Sequence, residues 1–187
     1  MPLHPAAPAD FAAAVDLVNL AYRGPSPPEG REWATETGYI TGDRLTRPML
    51  EADLQAPGAR LMLWRDEPGA PVTGCVWLQP ASSSNSEAAG QQEDGVWYLG
   101  MLTVHPDVQA RGLGGAILEA AEQAAVGQGA RRIRMTVVNV RDGLIAWYRR
   151  KGYAPTGEVL PFPYEDERFG KPGRPDLSFV VLERVLG

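Results

Sequence analysis

The run Tyr98-Leu99-Gly100-Met101-Leu102-Thr103-Val104-His105-Pro106 leads directly into Asp107-Val108-Gln109-Ala110-Arg111-Gly112-Leu113-Gly114-Gly115-Ala116. This order constrains the fold more than any other feature of the chain: an apolar strand, a proline stop, a glycine-rich turn and the start of an alanine-rich helix. Glycines at such a turn let the backbone come close to a ligand and aim free N–H groups at it, and the first helical turn adds partial positive charge. A phosphate or pyrophosphate is the expected occupant. The same residues would also serve as a plain strand-to-helix connection, so the choice rests on what surrounds them.

Two other phosphate-binding patterns are disfavoured. Gly112 and Gly114 are followed by the bulky Ile117 where a dinucleotide fingerprint has its third glycine, and no acidic side chain stands about 20 residues on to hold a ribose. A nucleotide-hydrolysing loop would end in GK[ST], whereas Gly114 is followed by Gly115 and Ala116.

A chain of 187 residues, 44% hydrophobic and 22% charged, fits one globular domain spanning 1–187 with a substantial core. Its formal net charge of -5 opposes broad nucleic-acid binding, which depends on accumulated Lys and Arg. The single Cys75 excludes an internal disulfide and a thiolate metal cluster, which suits a reducing cytoplasm. His4 and His105 are too few and too separated for a zinc motif, so no metal is expected. The start, Met1-Pro2-Leu3-His4-Pro5, has no basic segment before an apolar run, and no apolar stretch approaches ~18 residues, so neither secretion nor a membrane span is expected.

After a short strand near Leu3, Asp10 is placed to cap a helix carrying Phe11, Ala14, Val15, Val18 and Tyr22 at helical spacing and ending at Gly24. Pro25 to Gly30 reads as a loop, and Trp33 to Gln55 as one or two weak helices broken at Gly42 and Pro48. Ala59–Trp64 and Val72–Leu78 read as strands of a hairpin, and Pro80 to Gly95 as a mobile excursion with little apolar surface. Val96–Val104 is apolar on both faces, as a central strand requires, and Gly100 within it suggests a bulge. In the helix that follows, Leu113, Ala116, Ile117, Ala120, Ala121 and Ala124 form the apolar stripe, with Glu119, Glu122 and Gln123 off it. Ile133, Met135 and Val137 alternate with polar residues and complete a strand–helix–strand crossover. Arg141–Lys151 is a short helix stopped by Gly152, Glu158–Pro175 is loop-like, and Leu177–Arg184 is a last strand. The sum is an α/β fold with a mixed sheet, two parallel strands joined through the glycine-turn helix and antiparallel partners around them.

Strand, His105-Pro106-Asp107, Gln109-x-x-Gly112-x-Gly114 and alanine-rich helix together resemble the acetyl-CoA-binding motif of the GNAT N-acetyltransferase superfamily. Asn139 and the run Ala146-Trp147-Tyr148-Arg149-Arg150-Lys151-Gly152-Tyr153 resemble the second half of that family's pattern, with AxY in place of AxxY. The motif region spans 96–153. The resemblance implies a single-domain GNAT-like fold: a mostly antiparallel mixed sheet, splayed between its central parallel strands, with flanking helices. It also implies acetyl-CoA as co-substrate. Gln109, Ala110, Arg111, Gly112, Leu113, Gly114 and Gly115 would then hold pyrophosphate, and the edge at Met101, Leu102 and Val104, with Asn139, would pair with pantetheine.

On the residues alone Tyr148 falls on an apolar helix stripe and would pack in the core. With the motif it becomes the acid that protonates the departing thiolate, a task suited to a phenol of pKa near ~10. An attacking amine must also lose a proton. Glu36, expected over the acceptor pocket, is the first candidate, with Glu93 and Asp94 behind it, and a rim of carboxylates that includes Glu165, Asp166 and Glu167 would attract an ammonium. Cys75 reads as a buried structural thiol, His105 as a turn residue, and Arg149, Arg150 and Lys151 as complements of a helix dipole. The resulting expectation is an N-acetyltransferase acting by direct transfer on a primary amine of a small molecule, peptide or protein, the alternative being a silent acyl-CoA-binding sensor. A final strand left at a sheet edge would offer pairing across a two-fold axis, and so a homodimer.

Overall fold

The computed structural model describes residues 2–25, 35–82, 92–109 and 111–187. In chain order the elements are β1 (Leu3–Pro5), α1 (Phe11–Arg23), β2 (Ile40–Thr41), α2 (Arg47–Asp53), β3 (Arg60–Trp64), β4 (Gly74–Ser82), β5 (Gln92–Val104), α3 (Leu113–Val126), β6 (Arg132–Val138), α4 (Asp142–Arg150), β7 (Ala154–Pro161), β8 (Lys171–Pro172) and β9 (Ser178–Val185). Seven strands form one sheet in the order β1-β3-β4-β5-β6-β9-β7, and β2 pairs with β8 apart from it. All pairings are antiparallel except β5 with β6. That parallel pair is joined through α3, as a crossover connection requires.

The β5–β6 ladder is short. It holds only Val96↔Arg132, Trp97↔Ile133 and Tyr98↔Arg134, after which β5 continues along β4 while β6 continues along β9. The strands therefore splay, and the last bridge across the opening is a contact of 3.2 Å between the hydroxyls of Tyr98 and Thr136. One apolar cluster, with Ile117, Ala121, Ile133 and Leu182, packs α3 against the sheet, and a second, with Phe11, Val18, Leu63 and Cys75, packs α1. Both faces of β5 are thus covered, which matches its two-sided apolar sequence. Among the described residues no helix is long and apolar enough to cross a membrane.

Several local expectations are corrected. Asp10 ends a 3-10 turn at Pro8–Asp10 and makes no side-chain cap to α1; its carboxylate instead accepts from Ala7 N and pairs with Arg65 at 2.5 Å. Pro48 does not break a helix but sits in the first turn of α2, where its missing N–H costs nothing, and Thr46 caps that turn. Residues 40–41 form β2, a strand made by its distant partner β8 rather than by local pattern. The strands flanking the polar excursion reach Ser82 and start at Gln92, further in than the composition suggested. The bulge lies beside Gly100: two steps on β4, Cys75 to Trp77, face three on β5, Thr103 to Gly100. The strained residue there is Met101, at φ 47, not the glycine.

On α3 the buried face is turned by about one residue, to Ile117, Leu118, Ala121, Glu122 and Ala125. Glu122, expected outside, is buried because the Tyr153 hydroxyl donates to it at 2.8 Å and Arg184 pairs with it at 2.9 Å. The first residues of the expected loop, from Glu158 to Pro161, belong to β7, an edge strand with mostly exposed side chains. The last strand is not at an edge, since β9 lies between β6 and β7. The reason given for a homodimer therefore falls.

Candidate active site

Three cavities run in series through the splay. The first, about 300 Å³, lies beside the turn before α3 and is lined by Leu102, Val104, Gln109, Gly112, Gly114, Gly115, Trp147 and Tyr148 among others. The second, about 90 Å³, fills the gap between Leu99–Leu102 on β5 and Met135–Val138 on β6. The third, about 350 Å³, opens on the far side beside Arg44, Met49, Trp77 and Met101. Tyr22, Leu102, Arg141, Leu144 and Tyr148 border both the first and the second, and Arg44, Tyr98, Gly100, Met101 and Phe169 border both the second and the third.

The turn is shaped for an anion. Gly112 precedes α3 at φ +83, a left-handed conformation that L side chains rarely adopt, and it is open to solvent. A β-carbon on Gly114 would meet only ordinary contacts, Val104 at 3.6 Å and Trp147 at 3.7 Å, so packing within the chain does not demand glycine there. A ligand pressed against the backbone would. The Lys151 ammonium adds charge: it stands 5.7 Å from the Trp147 ring centroid and 2.8 Å from where a Gly115 β-carbon would lie. The Gln109 side chain donates to Val104 O at 3.0 Å and so ties the turn to the end of β5. His105 Nδ1 accepts from Asp107 N in the intervening 3-10 turn at Pro106–Val108.

Of the expected cofactor residues, Leu102, Val104, Gln109, Gly112, Gly114 and Gly115 line the first cavity, whereas Met101 faces the second and third. Leu113 packs toward the core, Arg111 is exposed, and Ala110 lies outside the described residues. Asn139 lines none of the three cavities; its amide donates to Asp176 O and accepts from Ser178 N, both at 3.0 Å, pinning the end of β6 to β9.

Tyr148 is 5% exposed yet borders the junction of the first two cavities, and among the described residues no partner takes its hydroxyl. Trp147 and Tyr153 pack edge-on against its ring at 4.9 Å and 5.7 Å. Burial raises its pKa well above the ordinary phenol value, the Tyr22 neighbour adds to the rise, and Arg141 opposes it. The group therefore stays protonated throughout the physiological range.

Glu36 reaches the second cavity but is not at its disposal as a free carboxylate. One oxygen pairs with Arg23 and the other with Arg141 at 3.3 Å, and all three side chains are largely buried. Among the described residues, Asp94, Glu165, Asp166 and Glu167 do not line these cavities. Asp94 is exposed and paired with Arg131, Asp166 caps the 3-10 turn Glu167–Phe169, and the side chain of Glu93 lies outside the described residues. The expected acidic rim is thus replaced by arginines. Cys75 is fully buried, its thiol pushed up to about 12 by burial, with Sγ 3.9 Å from Met101 O. It has no route to an acyl group. Among the described residues no group of three or more His, Cys, Asp or Glu could hold a metal ion.

Tyr22, Arg44, Arg141 and Leu144 were not singled out from sequence as site residues. Tyr22 and Leu144 were read only as members of helical stripes, and Arg141, just before α4, only as a helix start.

The family model described as acetyltransferase (GNAT) family matches residues 25–153. No curated protein gives a significant match. Among solved structures, an N-acetyltransferase from Staphylococcus aureus Mu50 is similar with a TM-score of 0.67 and 14% identity, over 99% of this chain and 98% of that one. A ribosomal-protein-alanine N-acetyltransferase from Brucella melitensis gives 0.66 and 15%, over 100% of each chain. A GNAT family acetyltransferase from Elizabethkingia anophelis, with acetyl-CoA bound, gives 0.63 and 16%, over 98% and 97%. At these identities the likeness is one of fold.

Proposed function

The chain belongs to the GNAT acetyltransferase family, whose co-substrate is acetyl-CoA, and from that premise we propose that it acetylates a primary amine by direct transfer. The observation that carries this reading is the continuous passage through the splay, with Tyr148 at the junction of its first two cavities. A sensor needs the first cavity only. A transferase needs a second entrance that meets it.

Acetyl-CoA supplies an activated acyl thioester. The backbone N–H groups at Gly112–Gly114, at the start of α3, and the Lys151 ammonium bind the pyrophosphate. The β5 edge beyond Tyr98, which lacks a strand partner on the β6 side, offers backbone groups at Leu102 and Val104 to the pantetheine amides. Tyr148 donates its proton to the departing sulfur, and its raised pKa keeps that proton available. Glu36 acts as a positioning residue that fixes Arg141 against the Tyr22 ring, 5.6 Å from its centroid. The amine proton leaves to water, since no unpaired carboxylate or imidazole lines the second cavity among the described residues.

The test is release of free thiol from acetyl-CoA across a panel of amines, with calorimetry of acetyl-CoA alone. Thiol release that depends on an amine supports transfer. Binding without release under any amine points to a sensor.

A further inference from the structure

The far side of the passage carries a positive charge that acetyl transfer does not use. Arg44 stands where the second cavity opens into the third, its guanidinium carbon 5.4 Å from the centroid of the Tyr22 ring. Arg141 lies 5.6 Å from the same ring. The cations nearby are already matched: Arg23 and Arg141 share Glu36, and Arg168 pairs with Asp53. Arg44 is only partly exposed, and among the described residues no carboxylate pairs with it. A guanidinium drawn out of water without a counter-ion is unfavourable, and a planar carboxylate is the group its fork fits best.

We propose that the acceptor is a free α-amino acid with an apolar or aromatic side chain, its carboxylate held by Arg44 while its amine reaches the junction at Tyr148. This rests on the reading of the chain as an N-acetyltransferase. A simple ammonium would enter a space bordered by Arg44 and Arg141 and by one carboxylate that is already shared between two arginines. A zwitterion brings its own anion. The apolar part of the lining selects the rest of the molecule: Phe162, Phe169 and Phe179 line the second cavity, with Phe162 and Phe179 stacked at 5.4 Å and Phe169 5.9 Å from Phe179. Such a wall receives an apolar side chain and gives nothing to a charged one.

The experiment measures thiol release from saturating acetyl-CoA with each of the twenty amino acids, its amide and its decarboxylated amine, on the full chain and on Arg44→Gln and Arg44→Lys. At least one apolar or aromatic amino acid is expected to show a kcat/KM at least tenfold above its amide. Arg44→Gln should raise KM for the acid at least tenfold and bring the acid-to-amide ratio toward one, with Arg44→Lys in between. The proposal is overturned if amides or decarboxylated amines serve as well as the acids, if the ratio survives Arg44→Gln, or if no amino acid releases thiol from a protein that binds acetyl-CoA by calorimetry. A folded protein that does not bind acetyl-CoA removes the N-acetyltransferase reading itself, and this proposal with it.

Discussion

The carboxylate of Glu36 lies 3.3 Å from the guanidinium of Arg141, tying together residues 105 positions apart at the wall of the cavity between the splayed strands. Arg23 takes the other oxygen. The three side chains form a buried triad in which one anion serves two cations, so removing the anion takes that carboxylate from both. Glu36→Gln should destabilise the fold by about 3–5 kcal/mol, the usual cost of breaking a buried pair from one side. Urea unfolding measures this. The same variant should lower turnover by shifting Arg141 and leave acetyl-CoA affinity in the folded fraction unchanged. Full stability in Glu36→Gln would mean that the triad does not hold this wall together.

Tyr148→Phe keeps the ring against Trp147 and Tyr153 and deletes only the hydroxyl. Turnover should fall roughly a hundredfold or more, the usual scale for a lost general acid, while the Kd for acetyl-CoA stays within twofold. The pH profile gives a second reading. Because burial raises the Tyr148 pKa, the wild-type rate should rise as the acceptor amine loses its proton and show no falling limb below the ordinary phenol range near ~10. Equal turnover in both proteins would return Tyr148 to a packing role.

The crossover from β5 through α3 to β6 was legible because its signals are local: a two-sided apolar strand, glycines at a turn, then helical and alternating periodicities. What escaped was made by distant partners. β2 exists only because Lys171–Pro172 lies beside it, and Glu122 is buried only because Tyr153 and Arg184 reach it from other elements. Arg44 lies in a connection with no periodicity, so nothing in the chain marks it as facing a cavity. Glu36 was found by its position among the early elements, but its arginine partners, which change what it can do, stand at 23 and 141 and could not be paired from sequence.

The two motif glycines should fail in different ways. Gly112→Ala puts a β-carbon in open space but on a backbone at φ +83, so it should cost about 1–2 kcal/mol of stability whether or not ligand is present. Gly114→Ala adds a β-carbon in ordinary contact with Val104 and Trp147 and should fold with near wild-type Tm. Its defect should appear as weaker acetyl-CoA binding by calorimetry. Unchanged affinity in folded Gly114→Ala would take the pyrophosphate away from this turn.

Cys75 supplies the test of direct transfer. Burial pushes its thiol up to about 12 from an ordinary value of 9.0, so at pH 8 the native protein should resist iodoacetamide while the urea-unfolded chain reacts. The sign of the linked stability follows from the same shift. Below pH 9.0 the thiol is neutral in both states and the contribution is whole; between 9.0 and about 12 the unfolded chain loses its proton and the folded one does not, so stability falls as pH rises. Cys75→Ala removes one titrating group and should make that alkaline decline shallower by up to about 1.4 kcal/mol per pH unit. At pH 7 it should cost about 1 kcal/mol for the small void it leaves. Turnover should persist, because a thiol sealed in the α1-side core cannot carry the acyl group. Loss of turnover in a folded Cys75→Ala protein, with trapped acyl-enzyme on the wild type, would replace direct transfer with a covalent route.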